Sequence, residues 1–365
     1  MTQTVAKTHQ FGILGMGARS CSFIKCLNMA GGANIVACAD PDAGSREKAM
    51  KFVPSGCTVH DDARRILDDD RVEIVYVGTP NFTHVDLVIP ALEAGKAVIC
   101  EKPMATTVED CDRMIEAIER TGGFFALSMQ NRYSFWCSTM TQMLRDGDLG
   151  DPRMMWCHEF RRPFSPTKVD QWIFYSEKSG GPYVEKNSHH WDIFNWWAMS
   201  PPVRVHAVAR NHNVHAPGDI WDCGWATVEY ENGVIANLGL SMNSPNGHDL
   251  HMGVIGGKGW VESFRTRDGG VVHMHPNDNG EAKTFNANMS PEQAELGHAG
   301  AELPMIDHLF ECIEQHKTPI TNHWWGRESI LVGVAAEQSA REGRVVNIAD
   351  LRRDSRYPDR GPDRI

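Results

Sequence analysis

The chain has 365 residues, 41% of them hydrophobic and 23% charged, which is length and apolar content for roughly two to three ordinary domains. A formal net charge of -11 excludes a general binder of nucleic acid or anionic membrane, because such partners select stripes of Lys and Arg, and the short clusters Arg161-Arg162 and Arg352-Arg353 do not reverse the excess. The opening MTQTVAKTHQ lacks the apolar run of a secretory signal and no run of about 18 apolar residues marks a membrane span, so the expected location is cytoplasmic.

From Phe11 to about Leu127, short apolar runs alternate with longer helical patterns, the rhythm of strand-helix-strand units and of a parallel sheet. FGILGMG, ANIVACAD, VEIVYVGTP, KAVICEKP and GFFALSMQ read as strands. Helices are expected at 18–30, 45–52, 62–67, 83–94 and 108–120, with Thr106 and Glu109 in capping-box spacing before the last. The ten cysteines form no CxxC pair, and several, such as Cys38 and Cys100, sit inside apolar segments, as reduced buried thiols do.

Beyond residue 128 Trp, His, Pro and Gly become frequent, and alternating segments follow one another without long helices between them. VRVHAVARNHNVH, WDCGWATVEYENGVIANLGLSM, DLHMGVIGGKGWVESF and VVHMH predict a sheet of sequential, mainly antiparallel strands, with Glu231-Asn232-Gly233 as its clearest hairpin turn. Helices are expected at 134–147, 184–199, 303–316 and 326–341, and DLRRDSRYPDRGPDRI reads as an irregular tail. The expected architecture is an α/β Rossmann domain over residues 1–128 and an α+β domain with an open-faced, mainly antiparallel sheet over 129–365.

In FGILGMGARS, Gly15 and Gly17 follow an apolar strand and precede a helix, with Met16, Ala18 and Arg19 completing the loop. Gly15 permits a tight turn, and Gly17 lets backbone approach a pyrophosphate held by the N–H groups of the helix start. Ser20 occupies the usual third glycine position. Asp40 ends the next strand, where a carboxylate accepts from an adenosine ribose and repels a 2'-phosphate; this favours NAD, although Arg19 and Arg46 could each offer charge to NADP.

With this loop, GTPNFTH, CEKP and GGPYVEKNSHHWD in order, the chain resembles the Gfo/Idh/MocA oxidoreductases from Phe11 through SAREGRVV. The resemblance implies homodimers or homotetramers assembled through the C-terminal sheet. It implies cofactor contacts from Thr79, Pro80, Asn81, His84 and Glu101, and it places Lys102 of the EKP motif beside both nicotinamide and the substrate hydroxyl. It also matches His189 and Asp192 to the later positions of D-x-x-x-H-x-x-D, with Glu185 replacing the first aspartate. On one helix, Glu185, His189 and Asp192 share a face, so the carboxylates would orient the imidazole. Lys186 could compete for Glu185, and His190 could stand in for His189. Gln130, Arg132, Tyr133 and Trp172 are candidate substrate contacts facing the cleft, the tryptophan by packing on the C–H face of a sugar. Zinc is not expected, because His189 and His190 diverge on a helix and the HMH at 273–275 lacks a third ligand.

The dinucleotide loop together with the resemblance implies an NAD(P)-dependent dehydrogenase, and the resemblance implies a secondary hydroxyl of a cyclic polyol or sugar as its substrate. The alternative is a redox-neutral glycosidase or lyase that oxidises a sugar transiently with a retained NAD, and a third is a catalytically silent dinucleotide sensor.

Overall fold

Six short apolar runs, β1 (His9–Leu14), β2 (Ala33–Ala39), β3 (Thr58–His60), β4 (Ile74–Val77), β5 (Ala97–Glu101) and β6 (Phe125–Ser128), form an all-parallel sheet in the order β3-β2-β1-β4-β5-β6. The computed structural model from which this is read describes residues 7–165, 169–244, 248–265, 269–277, 280–294, 296–353 and 355–357. β4 and β6 are buried at every residue, the pattern of strands covered on both faces. The strand order reverses between β1 and β4, which opens a crevice beyond their carboxyl ends. β3, with three residues, is too short to show alternation and was not expected. The cap of the helix Val108–Thr121 also differs by one residue: Thr107, not Thr106, accepts from the Asp110 N–H.

The second sheet has nine strands in the order β14-β13-β12-β11-β7-β10-β9-β8-β15. They are β7 (Pro152–Arg161), β8 (Pro202–Arg210), β9 (Cys223–Tyr230), β10 (Ile235–Ser241), β11 (His248–Gly256), β12 (Gly259–Phe264), β13 (Val271–Pro276), β14 (Lys283–Asn286) and β15 (Val346–Asn347). The hairpin predicted at Glu231-Asn232-Gly233 joins β9 to β10. The sequential reading misses β7, which inserts at the centre of the sheet, parallel to β10 and antiparallel to β11. Its outward residues Met154, Trp156, His158 and Phe160 are largely apolar and aromatic while Glu159 is buried on the inward side, so RMMWCHEF gives little alternation to read. Inward residues such as Met155, Cys157, Ala226, Leu238 and Val254 are buried, whereas Met154, Phe160, Trp225, Ile235 and Ile255 are exposed on the other face.

Late segments complete the first half. The helix Glu302–Gln315 packs on Ala18–Ala30, setting Met305, Ile306 and Leu309 against Phe11, Phe23 and Ile24. The helix His323–Glu342 packs against Val108–Thr121, β6 and β8 together, tying both sheets into one structure. The expected irregular tail is structured in part: Ile348–Arg353 is helical, and Ser355 donates to Asp112 at 2.6 Å while Asp112 accepts from the buried Arg327 at 2.6 Å. A buried ion pair that needs a third partner holds the tail there; residues 354 and 358–365 lie outside the described residues.

Candidate active site

Gly15, at φ +85°, makes the turn that leaves β1, and a Cβ there would lie 2.7 Å from the Gly78 carbonyl. Gly17 caps the helix Ala18–Ala30 with no side chain over its first N–H groups and open space where its Cβ would be, so backbone dipoles face a ligand directly. Ser20 fits at the third glycine position because Gly78, just after β4, has no side chain: a Cβ there would lie 2.3 Å from the Ser20 Oγ, which donates to the Gly78 carbonyl at 3.3 Å. Asp40 accepts from the Met16 N–H at 2.7 Å and the Asp42 N–H at 2.8 Å, which fixes its carboxylate beside the loop. These residues fit a dinucleotide: a helix N-terminus for the pyrophosphate and a fixed carboxylate at the end of β2 for the ribose.

Neither arginine considered for a 2'-phosphate is aimed at one. Arg46 donates to the carbonyls of Asp40 and Pro41, and Arg19 donates to Glu101 at 2.8 Å and Glu302 at 2.9 Å. Glu101 is a buried hub that also accepts from Tyr76 at 2.7 Å and Gln130 at 3.1 Å. Burial opposes its charge, but the Arg19 guanidinium and these donors win and hold its carboxyl at about 2. His84 differs from the expectation of a cofactor contact: its ring nitrogens lie 2.9 Å from the Pro103 carbonyl and 3.1 Å from that of Thr79, so it braces the loops after β4 and β5. Asn81 donates to the Ser179 carbonyl at 3.0 Å and joins the loop after β4 to the segment leading into the second half; Thr79 and Pro80 both hold Thr83 Oγ1.

Lys102, leaving β5, reaches across: its Nζ donates to the Glu185 carbonyl at 2.6 Å and lies 3.4 Å from the Glu185 carboxylate. Its ion pair is with Glu185, and only its backbone N–H donates to the adjacent Glu101. The helix expected over 184–199 is broken, with Pro182–Glu185 and Ser188–Ala198 separated at Lys186-Asn187, so Glu185 and His189 do not share one continuous helical face. Gly180 and Gly181, at φ +84° and +83°, set up this segment, and a Cβ on Gly181 would lie 2.4 Å from the Glu337 carboxylate. Every residue of Ser188–Ala198 is buried.

His189 is buried, and neither ring nitrogen has a hydrogen-bond partner among the described residues. Burial first, then the neighbouring Lys102 and His298, push its pKa well below 6.5, so the ring is a neutral base near pH 7. Its neighbours are committed elsewhere. His190 faces Asn187 and Glu159, and Lys186 pairs with Glu159 at 3.0 Å instead of competing for Glu185.

Asp192 makes no hydrogen bond to His189. Both its oxygens accept from Arg132 at 2.6 Å, and the guanidinium lies between Trp196 and Trp325 and donates to the Ile320 carbonyl. Arg132 is therefore buried structure, not a cleft contact. Tyr133 packs on His308, and Trp172 is buried edge-on to Phe82. Sequence reasoning missed His298, whose ring lies 5.8 Å from that of His189 and contacts Glu302 at 2.7 Å. The four-residue spacing of His298 and Glu302 was the available signal. Among the described residues, His212, Asp222 and Cys223 have ligand-type atoms within 4.8 Å of one another, but Asp222 already accepts from His212, Val214 and Asn243 to close a surface loop.

A doubly wound parallel sheet with a glycine-loop helix N-terminus, facing a lysine and a buried neutral histidine, defines a dinucleotide-binding oxidoreductase. Residues 9–128 match the NAD-binding Rossmann fold of the Gfo/Idh/MocA oxidoreductases and residues 141–348 match that family's C-terminal alpha/beta domain; the chain belongs to this family. It is 26% identical over 325 residues to scyllo-inositol 2-dehydrogenase (NAD(+)) of Bacillus subtilis, covering 88% of this chain and 90% of that protein. It is 28% identical over 255 residues to 2,7-anhydro-N-acetylneuraminate hydratase of Mediterraneibacter gnavus, covering 68% and 66%. Among solved structures it is similar to aldose-aldose oxidoreductase from Caulobacter crescentus complexed with glycerol, with TM-score 0.77, 25% identity and coverage of 93% and 100%.

Proposed function

We propose that this chain is an NAD-dependent dehydrogenase that moves a hydride between nicotinamide and a secondary hydroxyl of a cyclic polyol or pyranose. The observation that carries the reading is His189, a buried neutral imidazole with both nitrogens unpartnered among the described residues, close enough to the Lys102 ammonium for that charge to depress its pKa. An unpaired buried polar group costs about 1–3 kcal/mol, which a folded chain retains where a ligand supplies the partner. Gly15, Met16, Gly17 and Ala18 hold the pyrophosphate and Asp40 the ribose; NAD, when bound, supplies the hydride acceptor. His189 takes the hydroxyl proton, and Lys102, held by Glu185, stabilises the oxygen as negative charge develops on it. Glu185 takes the supporting role expected of Asp192, whose oxygens are committed to Arg132. The substrate class rests on the names of the similar inositol dehydrogenase and aldose oxidoreductase.

A second reading, redox-neutral chemistry with a retained NAD, is favoured by one observation, the similarity to a protein named as a hydratase. A panel of inositols, aldoses and glycosides, followed by near-ultraviolet absorbance with NAD and NADP and by product analysis, separates the two. NADH accumulating with a polyol supports the dehydrogenase; product from a glycoside with no net NADH supports the alternative.

We further infer a division at residue 128, a cytoplasmic location consistent with ten unpaired cysteines, and assembly into dimers or tetramers through the outer face of the nine-stranded sheet. Among the described residues no helix is long and apolar enough to cross a membrane. Trp225, Met154 and Ile235 lie half exposed on that face. Light scattering should show Trp225→Glu shifting the chain toward monomer; an unchanged mass would overturn the assignment of that face.

A further inference from the structure

A base buried as deeply as His189 has to pass its proton on before the next turnover, and three of its charged neighbours cannot receive it: Lys102 and Lys186 are ammonium donors, and His190 is turned to Asn187 and Glu159. The remaining neighbour is His298. Its ring centroid lies 5.8 Å from that of His189, edge to face. On its other side, Nδ1 contacts Glu302 at 2.7 Å and lies 3.4 Å from Arg19, and the side chain is 30% exposed, whereas that of Glu302 is fully buried. The residue stands at φ +49°, a left-handed conformation that His, Asn and Asp adopt more readily than other residues with a side chain. That backbone turn, just before the helix Glu302–Gln315, aims the ring at the carboxylate four residues on.

We propose that His298 is the proton-exit residue of this site, a positioning and relay group held by Glu302 that connects buried His189 to solvent. The proposal rests on His189 being the acid/base group. In the oxidative direction the C–H bond of the carbinol breaks with its electron pair going to the nicotinamide dinucleotide, and the O–H bond breaks with its proton going to a ring nitrogen of His189. Because neither His189 nitrogen has a protein partner among the described residues, that proton moves through water to His298 and from there to bulk water, so that one hydride and one proton leave the substrate and a carbonyl remains. Burial, and then Arg19, disfavour the protonated form of His298 while Glu302 favours it at the moment of transfer, so the imidazolium is transient. Glu101, behind Arg19, adds a further attraction for that charge.

His298→Asn is the informative variant, because Asn keeps the left-handed preference and removes the titratable ring. It should lower kcat on the order of tenfold with KM unchanged, and free imidazole in the buffer should restore the rate through the exposed side of the site. In the protein without cofactor, NMR titration of His189 should show its pKa rising in His298→Asn, since a like-charged neighbour has gone. An unchanged kcat, a loss that imidazole does not restore, or a His189 titration that does not move would each overturn the proposal. His189→Asn measured alongside separates the two claims: if it retains full turnover, the acid/base reading itself fails, whereas a dead His189→Asn beside an unaffected His298→Asn defeats only the relay.

Discussion

Two ion pairs join the end of the parallel sheet to the segment 182–192, and they are built in opposite ways. Arg132 and Asp192 are saturated: both carboxylate oxygens are engaged at 2.6 Å, a carbonyl takes a further guanidinium N–H, and two tryptophans wall the plane. Lys102 and Glu185 meet at 3.4 Å, and the imidazole beside them has no partner at all among the described residues. A saturated pair has nothing left to offer a substrate, so it fixes geometry. The loosely satisfied one keeps donors, charge and a neutral base available for chemistry. On the proposed reading, the run E-x-x-x-H-x-x-D thus splits between a reacting part, Glu185 and His189, and a structural part, Asp192.

The contrast breaks most sharply at the reacting half. His189→Asn should lower kcat by about 10²–10⁴-fold, and Lys102→Ala by about 10²–10³-fold, with thermal melts close to wild type; a large loss of Tm in either would move that residue to the structural half. Next comes the saturated pair. Arg132→Ala leaves a buried Asp192 carboxylate alone and should cost about 3–5 kcal/mol in urea denaturation, while turnover per folded molecule changes far less. If Arg132→Ala is stable yet inactive, the division drawn between the pairs is wrong.

A smaller effect is expected at the glycine pair that sets the segment. Gly181→Ala forces a side chain into φ +83° and onto the Glu337 carboxylate, and should cost about 1–3 kcal/mol together with a raised KM as Glu185 and His189 shift. Retention of wild-type stability would show that the segment tolerates another path. The smallest effect is in pH dependence. Because the folded pKa of His189 lies well below 6.5, the unfolded chain takes up that proton first. This group therefore removes stability as pH falls below 6.5 toward the folded value, and His189→Asn should lose less stability than wild type over that interval. The acid limb of kcat for hydroxyl oxidation should likewise lie below pH 6.5; a limb at or above it would mean that the ring is not desolvated as the structure has it.

Much of the cofactor half was readable because its determinants are local. A strand, a glycine turn and a helix start are contiguous in FGILGMGARS, and Asp40 closes the next strand, so periodicity and turn chemistry place them without reference to distant residues. Strands β8 to β13 show alternation for the same reason, whereas β7, whose neighbours in the sheet come from far along the chain, and the short β14 and β15 do not. The helix predicted through Glu185 and His189 failed at Lys186-Asn187, where helical phase cannot reveal a break set by packing between two sheets.

The amino-acid order by itself determined the two-sheet architecture and the dinucleotide loop, because each is encoded in short-range pattern, whereas the roles of Lys102 and His189 were expected only from the family resemblance. Only the tertiary structure decided which charges are spent. Arg19, Arg132 and Asp192 look as available in sequence as Lys102 and His189. Their partners Glu101, Glu302 and Ile320 arrive from other elements, and the approach of His298 to His189 joins segments more than a hundred residues apart. Whether a buried polar group is satisfied depends on long-range packing, and that is what separates the residues holding this fold together from those left free to react.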